Sequence, residues 1–254
     1  MTITALSFTL LFVIVTMLVS AWKKLGLERD IAVGTVRAAV QLLAVGYILQ
    51  FVFQAEHPLL LVLIIALMIV IASHNAAKRG KGVRGVFWRI ALAIAMTEGL
   101  LMAVLLGLGI VDATAQYVIP LSGMAIGNAM IVAGLFVNHL NREVESHRAE
   151  IETLLSLGAT ARQAIRIRLK QAVKFSMIPT IDGMKTVGLV QLPGMMTGMI
   201  VAGADPVEAV RYQILIVFAF SCSAAVMSML LSGLIYRLWF TDELNVRLPG
   251  GNKG

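Results

Sequence analysis

The sequence predicts an all-α fold: a polytopic transmembrane helix bundle of about seven helices, with the amino terminus outside and the carboxyl terminus in the cytoplasm. Three observations carry this expectation. Of 254 residues, 59% are hydrophobic and only 14% are charged, against about 25% charged in an ordinary soluble domain. Apolar runs of about 18 residues or more recur along the chain, each able to cross a ~30 Å hydrocarbon core as a helix. The basic residues fall in alternate connecting segments, as the positive-inside rule requires.

The first span is expected at 3–22. No charge precedes it and Lys23 and Lys24 follow it, the pattern of an uncleaved first span and not of a signal peptide. Further spans are expected at 31–54, 58–77, 86–110, 117–140, 175–202 and 211–236 by their apolar content. Segments assigned to the inside carry Lys23, Lys24 and Arg29, then Lys78, Arg79, Lys81, Arg84 and Arg89. The next inside segment carries Arg142, Arg148, Arg162, Arg166, Arg168, Lys170 and Lys174, and the last carries Arg237, Arg247 and Lys253. These are 18 of the 21 Lys and Arg residues. The outside segments hold Glu56, His57, Asp112, Asp205 and Glu208, with Arg211 their one cation. Losing or adding one span would break the alternation. Residues 1–240 therefore read as one membrane domain, with a cytoplasmic elbow at 141–174 within it and a short cytoplasmic tail at 241–254.

The net charge of +7 sits in short segments beside apolar runs, where lipid headgroups meet it; the lipid bilayer is the expected partner and nucleic acid is not. Cys222 is the single cysteine, which rules out an intrachain disulfide or a thiolate-rich zinc site. The sixth segment is interrupted by Pro179, Gly183, Gly188, Pro193, Gly194 and Gly198. A helix so interrupted is expected to be broken or re-entrant, with its freed backbone groups satisfied by protein or water.

The elbow is the one sizeable polar stretch and reads as two helices joined by a turn. Gly158 suits the left-handed residue that ends a helix, and Thr160 with Gln163 forms the pattern of a capping box for the next one. Arg162, Arg166, Lys170 and Lys174 line one face while Ile165, Leu169 and Val173 line another. Periodicity alone gives an amphipathic helix among anionic lipids. The segment ETLLSLGAT, with Glu152 six residues before Gly158, also resembles the EAA-type loop by which ABC permeases dock a coupling helix into their ATPase. Thr153 and Leu154 stand where that pattern has alanines, and Pro179 lies farther from the glycine than the pattern has it.

Read together, VRAAVQLLAVGYIL (36–49), IPLSGMAIGNAMIVAGL (119–135), LSLGAT (155–160) and the stretch 178–214 closely resemble the FetB-type ABC transporter permease family. That family is described as iron exporters related to plant aluminium-tolerance proteins. The resemblance implies a permease of the bacterial inner (plasma) membrane, working with a separate ABC ATPase subunit that carries ATP and Mg. It further implies iron or another metal species as cargo. This chain has no GxxxxGK[ST] phosphate loop, and no cofactor is expected to bind it. ATPase coupling is then expected at Glu152, Leu157, Gly158, Ala159, Thr160 and Arg162.

Four charged residues fall inside predicted spans: Arg37, Glu98, Asp182 and Lys185. Each costs a few kcal/mol at mid-bilayer unless paired or wetted, so each is a functional candidate. Rise per residue places Arg37 and Asp182 roughly 10 Å deep, and Lys185 and Glu98 roughly 15 to 18 Å deep. The expected pairs are Arg37 with Asp182 and Lys185 with Glu98; Asp182 with Lys185, one turn apart, is the alternative. Such pairs either lock helices together or line a transport pathway, to which Gln41 and Asn128 would also contribute.

Gly123 with Gly127, and Gly194 with Gly198, have the GxxxG spacing of close helix packing. Alternatively Pro193, Gly194, Met195, Met196, Gly198 and Met199 form an outer gate, with thioethers as soft contacts. The 14 methionines are otherwise packing residues, and no histidine shows the spacing of a metal site.

No HExxH, paired-Asp or Ser–His arrangement points to an intramembrane enzyme. An ATP-driven exporter built from two copies of the chain and two ATPases is the leading expectation, the homodimer following because seven spans are few for a two-sided cavity. A secondary transporter or channel without an ATPase is the alternative.

Overall fold

The computed structural model describes residues 8–55, 58–80, 83, 85–190, 192–241 and 246. Residues 3–7 of the expected first span, the loop charges Glu56, His57, Lys81, Arg84, Arg247 and Lys253, and all of the tail but Thr241 and Val246 lie outside the described residues. Two compact units form, Met1–His57 and Pro58–Gly254. The described residues hold nine α-helices. These are α1 (Leu10–Trp22), α2 (Glu28–Ala55), α3 (Pro58–Ala77), α4 (Val86–Gly107), α5 (Ala115–Ser146), α6 (Arg148–Ser156), α7 (Ala161–Thr186), α8 (Gly194–Val201) and α9 (Pro206–Ile235). By length and composition, α2, α3, α4, α5 and α9 can each cross a bilayer. The protein is a polytopic helical membrane bundle.

In the first unit, α1 and α2 are joined by a turn with Lys24 and Gly26 at positive φ. Ser20 stitches the turn: its hydroxyl donates to Glu28 Oε1 at 2.7 Å and accepts from the Leu27 backbone N–H at 3.2 Å.

The second unit is built around α5, which packs against α3, α4, α7 and α9. Its 32 residues extend about 48 Å, well past a hydrocarbon core. Its burial follows from composition, because Ala125, Ala129, Ala133 and Gly134 let neighbours approach while Ile126, Phe136, Val137 and Leu140 fill the gaps. At one end the basic residues gather. The Arg79 side chain lies across Gly134, where a Cβ would come within 2.8 Å of its Cδ. Arg89 Nη1 donates to the Leu234 carbonyl at 2.7 Å, satisfying an acceptor that the end of α9 leaves open. Trp239 is fully buried and its Nε1–H donates to Asn141 Oδ1 at 2.8 Å, tying the segment after α9 to α5. At the opposite end, Leu101, Leu105, Val111, Leu121, Ala125 and Ile216 form a second apolar cluster, with Met102, Met124 and Met195 packed on it.

Several expected boundaries move for local reasons. α5 runs on to Ser146, absorbing the start of the expected elbow. α9 begins at Pro206, five residues early, because Asp205 caps it through bonds from the Val207 and Glu208 N–H groups and proline suits the first turn. The second elbow helix and the first half of the sixth span merge into α7, which runs through Pro179 and Gly183. The expected break comes later, between Thr186 and Gly194, where Gly188 takes φ +82°. α7, the break and α8 together carry the chain from the basic end to the end at which α9 begins.

Trp239→Phe keeps the aromatic volume but leaves the buried Asn141 oxygen without its donor. It is expected to lower stability by about 1–3 kcal/mol, read as a lower thermal unfolding midpoint of the purified protein in detergent.

Candidate functional site

Two features lie on the path of α7. The first is the elbow. α6 ends at Ser156, two residues before Gly158, which takes φ +89°, and Thr160 begins α7 through the full capping box: Gln163 N–H donates to Thr160 Oγ1 at 3.4 Å and Thr160 N–H donates to Gln163 Oε1 at 2.8 Å. The expected turn is thus present. Between these two stops, Leu157 is 78% exposed, an apolar knob held up by a rigid turn. Glu152 pairs with Arg148 at 2.6 Å on the same helix, and Ala159 and Arg162 flank the turn.

Residues that no local motif marks hold the elbow in place. Arg168, on the buried side of α7, donates through Nη2 to both Glu150 oxygens at 3.0 and 2.8 Å and through Nη1 to Glu143 at 3.4 Å and Gln171 at 3.1 Å. It joins α5, α6 and α7. Glu143 is flanked by His139 and His147, each at 3.7 Å, and the His139 ring stacks on Phe175. In the sequence Arg168 is one cation among several. What sets it apart is its place three residues after Ile165 and one before Leu169, on the apolar face.

The second feature is the set of intramembrane charges. Asp182 and Lys185 pair with each other at 3.0 Å, with side chains 60% and 67% exposed. This is the alternative pairing, and the expected Lys185–Glu98 pair is not formed. Helix geometry explains it: three residues along one helix set the two charges side by side on the exposed face of α7, whereas Glu98 of α4 is 5% exposed and points into the bundle. Both Glu98 carboxyl oxygens, and the hydroxyl of Ser122 near it on α5, are buried without a formed hydrogen bond. Arg37 and Gln41 are exposed on α2 of the first unit, so the expected Arg37–Asp182 pair spans two units, and within its own unit Asp182 has Lys185. Asn128 Nδ2 donates to the Phe220 carbonyl at 3.2 Å, bridging α5 and α9.

Among the described residues of this chain, the glycine spacings bring no other helix into close approach. Nothing lies within 4 Å of a Cβ placed at Gly127, Gly194 or Gly198, and Gly123 meets only the Met68 methyl at 3.8 Å. The close approach is at Gly134 instead. Pro193 caps α8, none of whose residues is buried; Met195, Met196 and Met199 are half-buried. Among the described residues no group of three or more His, Cys, Asp or Glu side chains could hold a metal ion.

The model of the family described as "Uncharacterised protein family (UPF0014)" matches residues 3–240. The chain belongs to the UPF0014 family. Among its UPF0014 relatives is the Bacillus subtilis "UPF0014 membrane protein YjkA", 49% identical over 237 residues, 93% of this chain and 95% of that one. The Escherichia coli "Probable iron export permease protein FetB" is 39% identical over 239 residues, covering 94% and 92% of the two chains. The Arabidopsis thaliana "Protein ALUMINUM SENSITIVE 3" is 34% identical over 238 residues, 94% of this chain and 87% of its own. The FetB-type resemblance read from the sequence is borne out by these matches. No solved structure matches the chain.

Two outcomes follow from the geometry. Arg168→Lys loses the forked contact to Glu150, so limited proteolysis is expected to cut within 147–160 several times faster while the membrane helices stay intact. Glu98→Leu removes a buried carboxyl beside which only the Ser122 hydroxyl is placed to help, a change that is neutral or stabilising where packing permits. Its unfolding midpoint in detergent is expected to equal or exceed that of the parent, and a drop would show that Glu98 holds the bundle together.

Proposed function

We propose that this chain is the membrane-spanning subunit of an ABC transporter that exports iron or another metal species. It has seven crossings and an outward amino terminus, sits in a bacterial inner membrane, and works as a homodimer with two copies of a separate ATPase. The observation that carries the reading is the elbow and its continuity with the membrane: a capped, Arg168-clamped turn presents Leu157 to solvent at the basic end, and the helix leaving that turn is α7, which ends at the break. A partner docked on Leu157 would push directly on the segment that carries the exposed Asp182–Lys185 pair.

That pair supports the homodimer. Two charges more than half exposed at membrane depth are costly against lipid, so the α7 face is read as lining a wet cavity closed by a second copy. The cargo rests on the name of the Escherichia coli relative.

The test is ATP hydrolysis by the chain reconstituted with a candidate ABC ATPase partner, titrated with Fe(II), Cu(I), Zn(II) and organic metal complexes. Stimulation by at least one metal species is expected, and Leu157→Asp is expected to abolish it, by tenfold or more, without changing the amount of folded protein recovered. Stimulation by none of them overturns metal export. Downhill substrate flux through liposomes holding this chain alone points instead to a secondary transporter or channel.

A further inference from the structure

The cations of α7 divide into two kinds. Arg168 faces inward and is bonded to three acceptor side chains. Arg162, Arg166 and Lys170 lie on the exposed side, and none of them forms an ion pair among the described residues. They do not face open space. A crevice of about 510 Å³ is lined by Thr160, Arg162, Arg166, Leu169 and Lys170 of the α7 side and by Ser232 near the end of α9. A second crevice, of about 520 Å³, shares Thr160 and Arg162 and continues to Tyr236 and Arg237. Three like charges spaced four residues apart repel one another by a few tenths of a kcal/mol per neighbouring pair, a cost that an anion in the crevice removes.

We propose that this crevice binds the phosphate headgroup of an anionic phospholipid. The depth favours a lipid over another anion. Ser232 lies where α9 passes from its apolar stretch to the basic residue Arg237, the level of headgroups. One turn deeper Met229 is 66% exposed, an apolar surface along which an acyl chain can lie. Arg and Lys side chains reach from a helix to such a level with their stems on apolar surface, here that of Leu169. With the orientation proposed above, the lipid belongs to the cytoplasmic leaflet, where anionic lipids concentrate. A lipid held here would touch α7 between the elbow and the membrane and brace it.

The experiment is native mass spectrometry of the full chain released from detergent carrying phosphatidylglycerol, phosphatidylcholine or inorganic phosphate. The unaltered chain is expected to retain phosphatidylglycerol in preference to phosphatidylcholine. Lys170→Gln should weaken that retention about fivefold and Arg166→Gln with Lys170→Gln about 25-fold, from the usual contribution of one surface cation to anionic-lipid binding. Ser232→Leu, which fills the crevice without removing a charge, should weaken it as well, whereas Arg211→Gln at the opposite end should not. All of these side chains are at least partly exposed, and equal unfolding midpoints verify that each variant folds. Equal retention by the double variant overturns the proposal. Displacement of the lipid by millimolar inorganic phosphate reassigns the crevice to a free anion and overturns it too. Unchanged lipid retention with lost capture of the ATPase assigns the cations to a protein interface, with the same consequence.

Discussion

Helix α5 has to satisfy two solvents at once. Over its first part it must be apolar and narrow enough for α3, α4, α7 and α9 to pack on it. Beyond Leu140 it must hold polar partners, because its 32 residues outlast the hydrocarbon core. Alanine and glycine on the packed faces meet the first demand. Asn141 and Glu143 meet the second, receiving Trp239 and Arg168, while Val144, between them and the elbow, packs on the elbow's apolar face. Because one helix does both, the elbow is registered against the membrane core through contacts on α5 itself.

The bonds at the basic end share a logic. Each is made by a residue whose charge or polarity would be expensive if left unpaired near lipid: Arg89 on the α9 carbonyl, Trp239 on Asn141, Arg168 on Glu150 and Glu143. Toward the opposite end apolar packing dominates, with Asn128 on the Phe220 carbonyl and the methionines Met102, Met124 and Met195 at its edge. The bundle is therefore pinned at one end and softer at the other, and the break between α7 and α8 lies on the way to the softer end. A transporter that works by relaying a push from an ATPase needs that asymmetry.

Much of this was legible in the sequence. The lengths of α3 and α4, the Gly158 stop and the Thr160–Gln163 capping box are local signals, written in residues a few positions apart. The broken sixth segment was legible as a fact but not in place: Pro179 and Gly183 look like the breakers, yet α7 passes through both, exposed as they are, and the chain turns at Gly188. What was hidden depends on which residues meet across helices. Only its register on the apolar face, beside Ile165 and Leu169, distinguishes Arg168 from Arg166, and which acceptors it meets, like the turn of Lys185 to Asp182 rather than to Glu98, is not written locally. The Gly134 contact with Arg79 likewise joins residues 55 positions apart, while the GxxxG pairs that look like packing motifs meet almost nothing.

The central claim is that α7 acts as a rigid lever between the elbow and the break. Pulsed electron–electron distances test it, using spin labels on a Cys222→Ser background in the chain assembled with the proposed ATPase partner, with and without a trapped nucleotide. Labels at Gln163 and Lys185, both on α7, are expected to keep one narrow distance in both states, while labels at Gln163 and Met199, on either side of the break, change theirs. A shifted or broadened distance within α7, or an unchanged distance across the break, would contradict the account.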